Sequence, residues 1–165
     1  MSDSSLRQKG AHIKLLVLDV DGTLTDGGVY IDANGMQSKK FNIKDGMGIT
    51  LLRERGVHVG VISHSRSKTI LDERARMLGI DLVYSGKDPK DEVLAKWLVE
   101  LSLTHQQVAY IGDDVNDLEA MERVGLSACP HDAHYSVVKK VDVVLQRNGG
   151  DGCVREFIDR FLLVV

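Results

Sequence analysis

Apolar and polar positions follow two rhythms along the chain. Solid runs of Leu, Val and Ile fall at 14–20, 57–63, 82–85, 108–112, 126–129 and 141–145, as expected of strands covered on both faces of a sheet. Between them, apolar residues return at helical spacing over 46–55, 68–78, 90–101, 118–124 and 154–163. In the third of these, Val93, Leu94, Trp97, Leu98 and Leu101 form one stripe. Alternation of this kind predicts an α/β fold with a doubly wound, mainly parallel sheet and helices on both faces. One stretch breaks the rhythm. Residues 29–41 have strand-like ends around Asn34-Gly35, a strong hairpin signal, so a β-hairpin is expected over about 27–42. Residues 1–10 are polar and are expected to be a flexible tail, with 11–165 forming a single domain.

Chemistry enters at the ends of two of these runs. The strand Leu15-Leu16-Val17-Leu18 leads into Asp19-Val20-Asp21-Gly22-Thr23, two carboxylates one residue apart followed by a glycine and a hydroxyl. Ligands of open α/β sheets bind at the carboxyl ends of strands. A carboxylate there can attack phosphorus, and one at i+2 can reach the leaving oxygen. Gly22 lets the chain turn sharply while its amides face an anion. A second cluster, Gly112-Asp113-Asp114-Val115-Asn116-Asp117, follows the strand ending at Ile111. Asp19 and Asp113, with the backbone carbonyl of Asp21, suit magnesium, which takes oxygen ligands. Asp117 is placed to hold a metal-bound water and Asn116 to orient the loop, while Asp114 is either a site residue or a helix-start carboxylate. Ser63 ends one strand and Lys90 opens a helix, where they serve as phosphate donors or as ordinary caps and solvated charges.

Size and charge narrow the partners. The chain has 165 residues, 43% hydrophobic and 27% charged, with a net charge of -3. That is enough for one core and gives no electrostatic reason to expect nucleic acid. No long apolar stretch points to a membrane, and a cytoplasmic location is expected. Cys129 and Cys153 are expected to be buried thiols without a role.

Asp19-Val20-Asp21-Gly22-Thr23, Ser63, Lys90 and Gly112 to Asp117, in that order, resemble the four motifs of the haloacid dehalogenase superfamily of phosphatases. The resemblance implies a Rossmann-like sheet, Mg2+, attack by Asp19 to give an aspartyl phosphate, Asp21 as acid and then base, and Ser63 and Lys90 on the phosphoryl oxygens. The segments between the motifs are too short for the cap domain that many members carry. The flanks Thr23 to Tyr30, Phe41 to Gly46 and Gly149 to Glu156 look like a capless subgroup acting on phosphorylated 3-deoxy-2-keto sugar acids, 3-deoxy-D-manno-octulosonate 8-phosphate first. That likeness implies a homotetramer, with the hairpin and a Gly-rich segment at about 148–156 at its interfaces. Gly22, Thr23, Lys44, Asp45, His64, Arg66 and Arg155 are then candidates for substrate contact. The reading Ser63-His64-Ser65-Arg66 departs from the subgroup's usual Gly-Arg or Glu and leaves either Ser63 or His64 in the second-motif position. A nine-carbon keto-sugar 9-phosphate, or a non-catalytic tetramerisation module, are the alternatives.

Overall fold

All four residues of β1 (Leu15–Leu18) are fully buried, because the strand lies between two parallel neighbours, β4 (His58–Ser63) and β6 (Val108–Ile111). The computed structural model describes residues 2–65 and 68–163. Its main sheet has the order β5-β4-β1-β6-β7-β8, every pair parallel, with β5 at Leu82–Ser85, β7 at Leu126–Cys129 and β8 at Val143–Val144. Winding runs outward through β4 and β5 on one side of β1, then restarts on the other side with β6. The crevice at that switch lies at the carboxyl ends of β1 and β6, where both acidic clusters emerge.

Helices cover both faces, as the periodicity predicts. One core cluster joins Leu16 and Leu18 to Leu6 of α1 (Asp3–Gly10), Leu52 of α2 (Ile43–Glu54), Leu71 of α3 (Lys68–Leu78) and Phe157 of α7 (Cys153–Phe157), which continues as a wider turn over Ile158–Leu162. The other joins Leu15 and Val17 to Leu94 of α4 (Lys90–Leu101), Met121 of α5 (Leu118–Met121) and Val137 of α6 (Tyr135–Val138). No cap domain interrupts the sheet among the described residues. Cys129 and Cys153 are buried and unpaired, and burial pushes the Cys129 thiol up to about 12.

The N-terminal residues correct the sequence reading. Residues expected to be a flexible tail form α1, capped by Ser2, whose Oγ accepts from the Ser5 N–H at 3.3 Å. Its single apolar side chain, Leu6, is buried in the core, and Gly10 lies against the Phe161 backbone so closely that a Cβ would collide. A lone Leu in a polar octet carries no helical stripe, so only the tertiary contact reveals the helix.

The hairpin is present as β2 (Tyr30–Ile31) and β3 (Gln37–Ser38), with Asp32 Oδ1 accepting from the N–H groups of Asn34 and Met36 at its tip. An isolated bridge between Thr25 and Phe41 closes its base. Side chains alternate along an extended strand. Phe41 packs against the core, Lys40 points outward to pair with Asp26 at 3.2 Å, and Lys39 points inward again.

Candidate active site

The Asp19 N–H donates to the Ile111 carbonyl at 2.9 Å, which pins the first acidic residue beside the end of β6. The chain then turns through Val20–Leu24, broken at Asp21 and at Gly22, whose φ is +88°. A Cβ on Gly22 would overlap Asp113 Oδ2, so the glycine meets both a left-handed backbone and a close carboxylate. Gly22→Ala should therefore displace Asp113 and strain the turn by about 1–2 kcal/mol. The expected result is a Mg2+ affinity at least about tenfold weaker, read by calorimetric titration.

Lys90 is the first residue of α4, a helix end that repels cations. It is held there because its ammonium donates to Asp19 Oδ1 and, at 2.6 Å, to Asp117 Oδ1. Burial alone would pull Lys90 down, but Asp19 and Asp117 beside it hold its pKa above the ordinary lysine value. Asp117 is fully buried and fully used. Its Oδ1 also accepts from the Tyr110 hydroxyl at 2.8 Å, and its Oδ2 accepts from the N–H groups of Asp113 at 3.2 Å and Asp114 at 3.3 Å. Asp117 thus fixes Lys90 and the 113–114 backbone.

Carboxylate oxygens of Asp19, Asp113 and Asp117 lie within 4.8 Å of one another. Burial, then the Asp117 charge, push the Asp113 carboxyl up to about 7, and the same two causes hold Asp19 well above the carboxylate range. Three carboxylates sharing one ammonium in a buried cluster fit a hard divalent cation. Because Asp117 is occupied by Lys90, Tyr110 and two amides, Asp19 and Asp113 are the side chains that could hold a divalent cation.

Across from them, Ser63 ends β4 opposite Ser85 and is buried, its Oγ accepting from the Ser65 N–H at 3.0 Å. Asp19, Asp21, Ser63, His64, Ser65, Asp113, Asp114 and Asn116 line one cleft of about 260 Å3. The His64 ring is engaged on both nitrogens: Nε2 meets the Asp88 carbonyl at 3.0 Å and Nδ1 meets the Asn116 amide at 3.3 Å. A neutral ring that donates through Nε2 and accepts through Nδ1 satisfies both contacts, tying the loop after β4 to the loops before α4 and after β6. Asp114 caps the turn at 115–117 by accepting from the Val115 N–H at 2.7 Å, while also lining the cleft.

Several candidates lie elsewhere. Thr23 is fully buried with its Oγ1 unpartnered, and its carbonyl accepts from the Gly150 N–H at 3.0 Å and the Cys153 thiol at 3.3 Å. Asp45 is buried under the start of α7, accepting from the Arg155 N–H at 2.7 Å. Burial raises its pKa to about 6 against the pull of the amides at 155, 152 and 154. Lys44 and Arg155 line a separate depression of about 500 Å3 with Arg147 and Arg160, and Arg155 Nε donates to Asp159 at 2.7 Å. Within one chain these three residues are therefore not in the cleft with Asp19. Arg66 lies outside the described residues.

Two residues at the site are absent from the sequence reading. Tyr110 looks like one more apolar member of β6, yet its hydroxyl anchors Asp117; burial, then Asp117, raise its pKa well above the phenol value. Lys39 reaches in from the hairpin, donating to Asp21 Oδ1 at 2.5 Å and to Ser65 Oγ at 2.9 Å.

A parallel sheet with a buried, lysine-clamped aspartate and an oxygen-lined cation site at its switch point defines a class: metal-assisted hydrolases that use a carboxylate on a strand end. The family profile of the haloacid dehalogenase-like hydrolases matches residues 42–125. The 3-deoxy-D-manno-octulosonate 8-phosphate phosphatase KdsC of Escherichia coli K12 is 39% identical over 155 residues, 94% of this chain and 82% of that one. The crystal structure of the 3-deoxy-D-manno-octulosonate 8-phosphate phosphatase of Yersinia pestis superposes with a TM-score of 0.92 at 40% identity, covering 96% and 85% of the two chains. That from Moraxella catarrhalis, in complex with a magnesium ion, a phosphate ion and a KDO molecule, gives 0.90 at 33% identity, covering 94% and 88%. The chain belongs to the haloacid dehalogenase-like hydrolases.

Proposed function

We propose that the chain is a Mg2+-dependent phosphatase that hydrolyses 3-deoxy-D-manno-octulosonate 8-phosphate to the free sugar acid and phosphate. The observation that carries this reading is the clamping of Asp19 by Lys90, beside Asp113 and across from Asp21 in one cleft. The relatives' activity supplies the substrate.

Lys90 holds Asp19 Oδ1, which leaves the second oxygen to attack phosphorus. As the new P–O bond forms, the P–O bond to the sugar breaks and its electron pair leaves with the sugar oxygen, which takes a proton from Asp21. Ser63 and Lys90 donate to the phosphoryl oxygens as charge develops on them. Asp21, now a carboxylate, removes a proton from water attacking the aspartyl phosphate, and Asp19 is restored. Mg2+, held by Asp19, Asp113 and the Asp21 carbonyl, supplies the charge neutralisation that lets a carboxylate approach a phosphate dianion.

Phosphate release measured across phosphorylated sugar acids, with and without Mg2+, tests the assignment. Octulosonate 8-phosphate should be the best substrate and chelation should stop release reversibly. Faster release from a nine-carbon 9-phosphate would move the specificity, and no release from any ester would leave an assembly module. Mg2+ binding carries its own pH signature. Below about 7 Asp113 holds a proton that the cation must displace, and Asp19 is raised by the same causes, so affinity should rise steeply with pH through this range. Titration in buffers of different ionisation enthalpy would count the released proton.

No described helix is long and apolar enough to cross a membrane. The hairpin leaves Tyr30 and Ile31 each 65% exposed and Met36 69% exposed. Such a surface on an otherwise marginal two-strand unit supports a homotetramer built through the hairpins. Sedimentation should give four times the chain mass, falling to a smaller species in Ile31→Glu.

A further inference from the structure

Lys39 stands out on the hairpin because its side chain is only 3% exposed, whereas both hairpin strands are exposed along their length. The inward alternation with Phe41 aims it at the cleft, and Lys39 shares a groove with Phe41, Ile70 and Arg74. Its ammonium bridges two loops, meeting Asp21 after β1 and Ser65 after β4. Lys90 serves Asp19 and Asp117 on the other side. We infer that Lys39 is the positioning residue for Asp21: by holding Oδ1 it fixes the carboxyl so that Oδ2 meets the leaving oxygen, making proton transfer depend on a seated hairpin. The inference rests on the proposed acid role of Asp21. Its logic is that of a catalytic base oriented by a third group.

The test compares kcat/KM for phenyl phosphate and p-nitrophenyl phosphate, two esters of similar shape. The first releases a poor leaving group that needs a proton, the second a good one that does not. kcat/KM reports transfer to Asp19, before hydrolysis of the intermediate. Lys39→Met should lose about a hundredfold on phenyl phosphate, the scale of a misplaced catalytic group, and less than about threefold on p-nitrophenyl phosphate. Lys39→Arg, which keeps a charged donor, should recover most of the loss. Asp21→Asn should show the same split, and adding Lys39→Met to it should lose nothing further. Equal losses on both esters, or additive losses in the double variant, would overturn the role of Lys39 while leaving Asp21 as the acid. No split in Asp21→Asn itself would remove the acid role, and the inference with it.

Discussion

Asp19→Asn should abolish phosphate release, by a factor on the order of 10^4 to 10^6, while leaving a protein at least as stable as the parent in the absence of Mg2+. The first half follows from chemistry: an amide cannot attack phosphorus and return as a leaving group. The second follows from electrostatics. Burial and the neighbouring Asp117 raise the folded-state pKa of Asp19 well above its ordinary value. The unfolded chain ionises this group first as pH rises, so its contribution turns unfavourable above the ordinary carboxylate pKa. Asparagine keeps an oxygen for Lys90 and removes that penalty. Thermal melts at pH 8 should place the metal-free variant at or above the parent. Saturating Mg2+ should reverse the order, because only the parent keeps the ligand and gains stability from binding. Undiminished hydrolysis by the variant would sink the mechanism.

Lys90→Met should damage both stability and turnover. The methionine fills most of the lysine's volume but leaves Asp19 and Asp117, both buried, without their shared cation. Breaking such an arrangement from one side destabilises by about 3–5 kcal/mol. The loss should be greatest at high pH and shrink on acidification, because Asp19, already raised by burial, then takes up a proton. Turnover should fall about 10^2- to 10^3-fold even with Mg2+ present, the loss expected when one preorganised donor is removed. Denaturant titrations at pH 6 and pH 8 read the first effect, and steady-state assays with saturating Mg2+ read the second. A variant equally stable at both pH values would show that Lys90 does not neutralise the pair.

Legibility in the sequence followed burial and spacing. The sheet strands and long helices were readable because the apolar runs and stripes are nearly uninterrupted, as in β1 and α4. Asp19 and Asp113 were readable because each ends such a run. Lys39 was not, since a lysine in a hairpin ordinarily guards an exposed edge, and only its alternation with Phe41 hints that it turns inward. Tyr110 fits the apolar strand so well that its spacing carries no sign of the hydroxyl's bond to Asp117. Lys44, Asp45 and Arg155 matched a flank pattern, but flank patterns do not say which surface a helix end faces. Asp45 proves to secure the start of α7 rather than the cleft.

The glycine-rich stretch near the chain's end has a consequence for the order of assembly. Gly149 lies so close to the Gly22 carbonyl that a Cβ would collide, and the Gly150 N–H and Cys153 thiol both bond to Thr23. The turn that carries Asp21 thus rests on residues made long after it. A nascent chain can present its first carboxylates early in synthesis, but the floor beneath them arrives only when residues 149–153 leave the ribosome. Catalytic competence therefore waits on residues 149–153, however early the first carboxylates emerge.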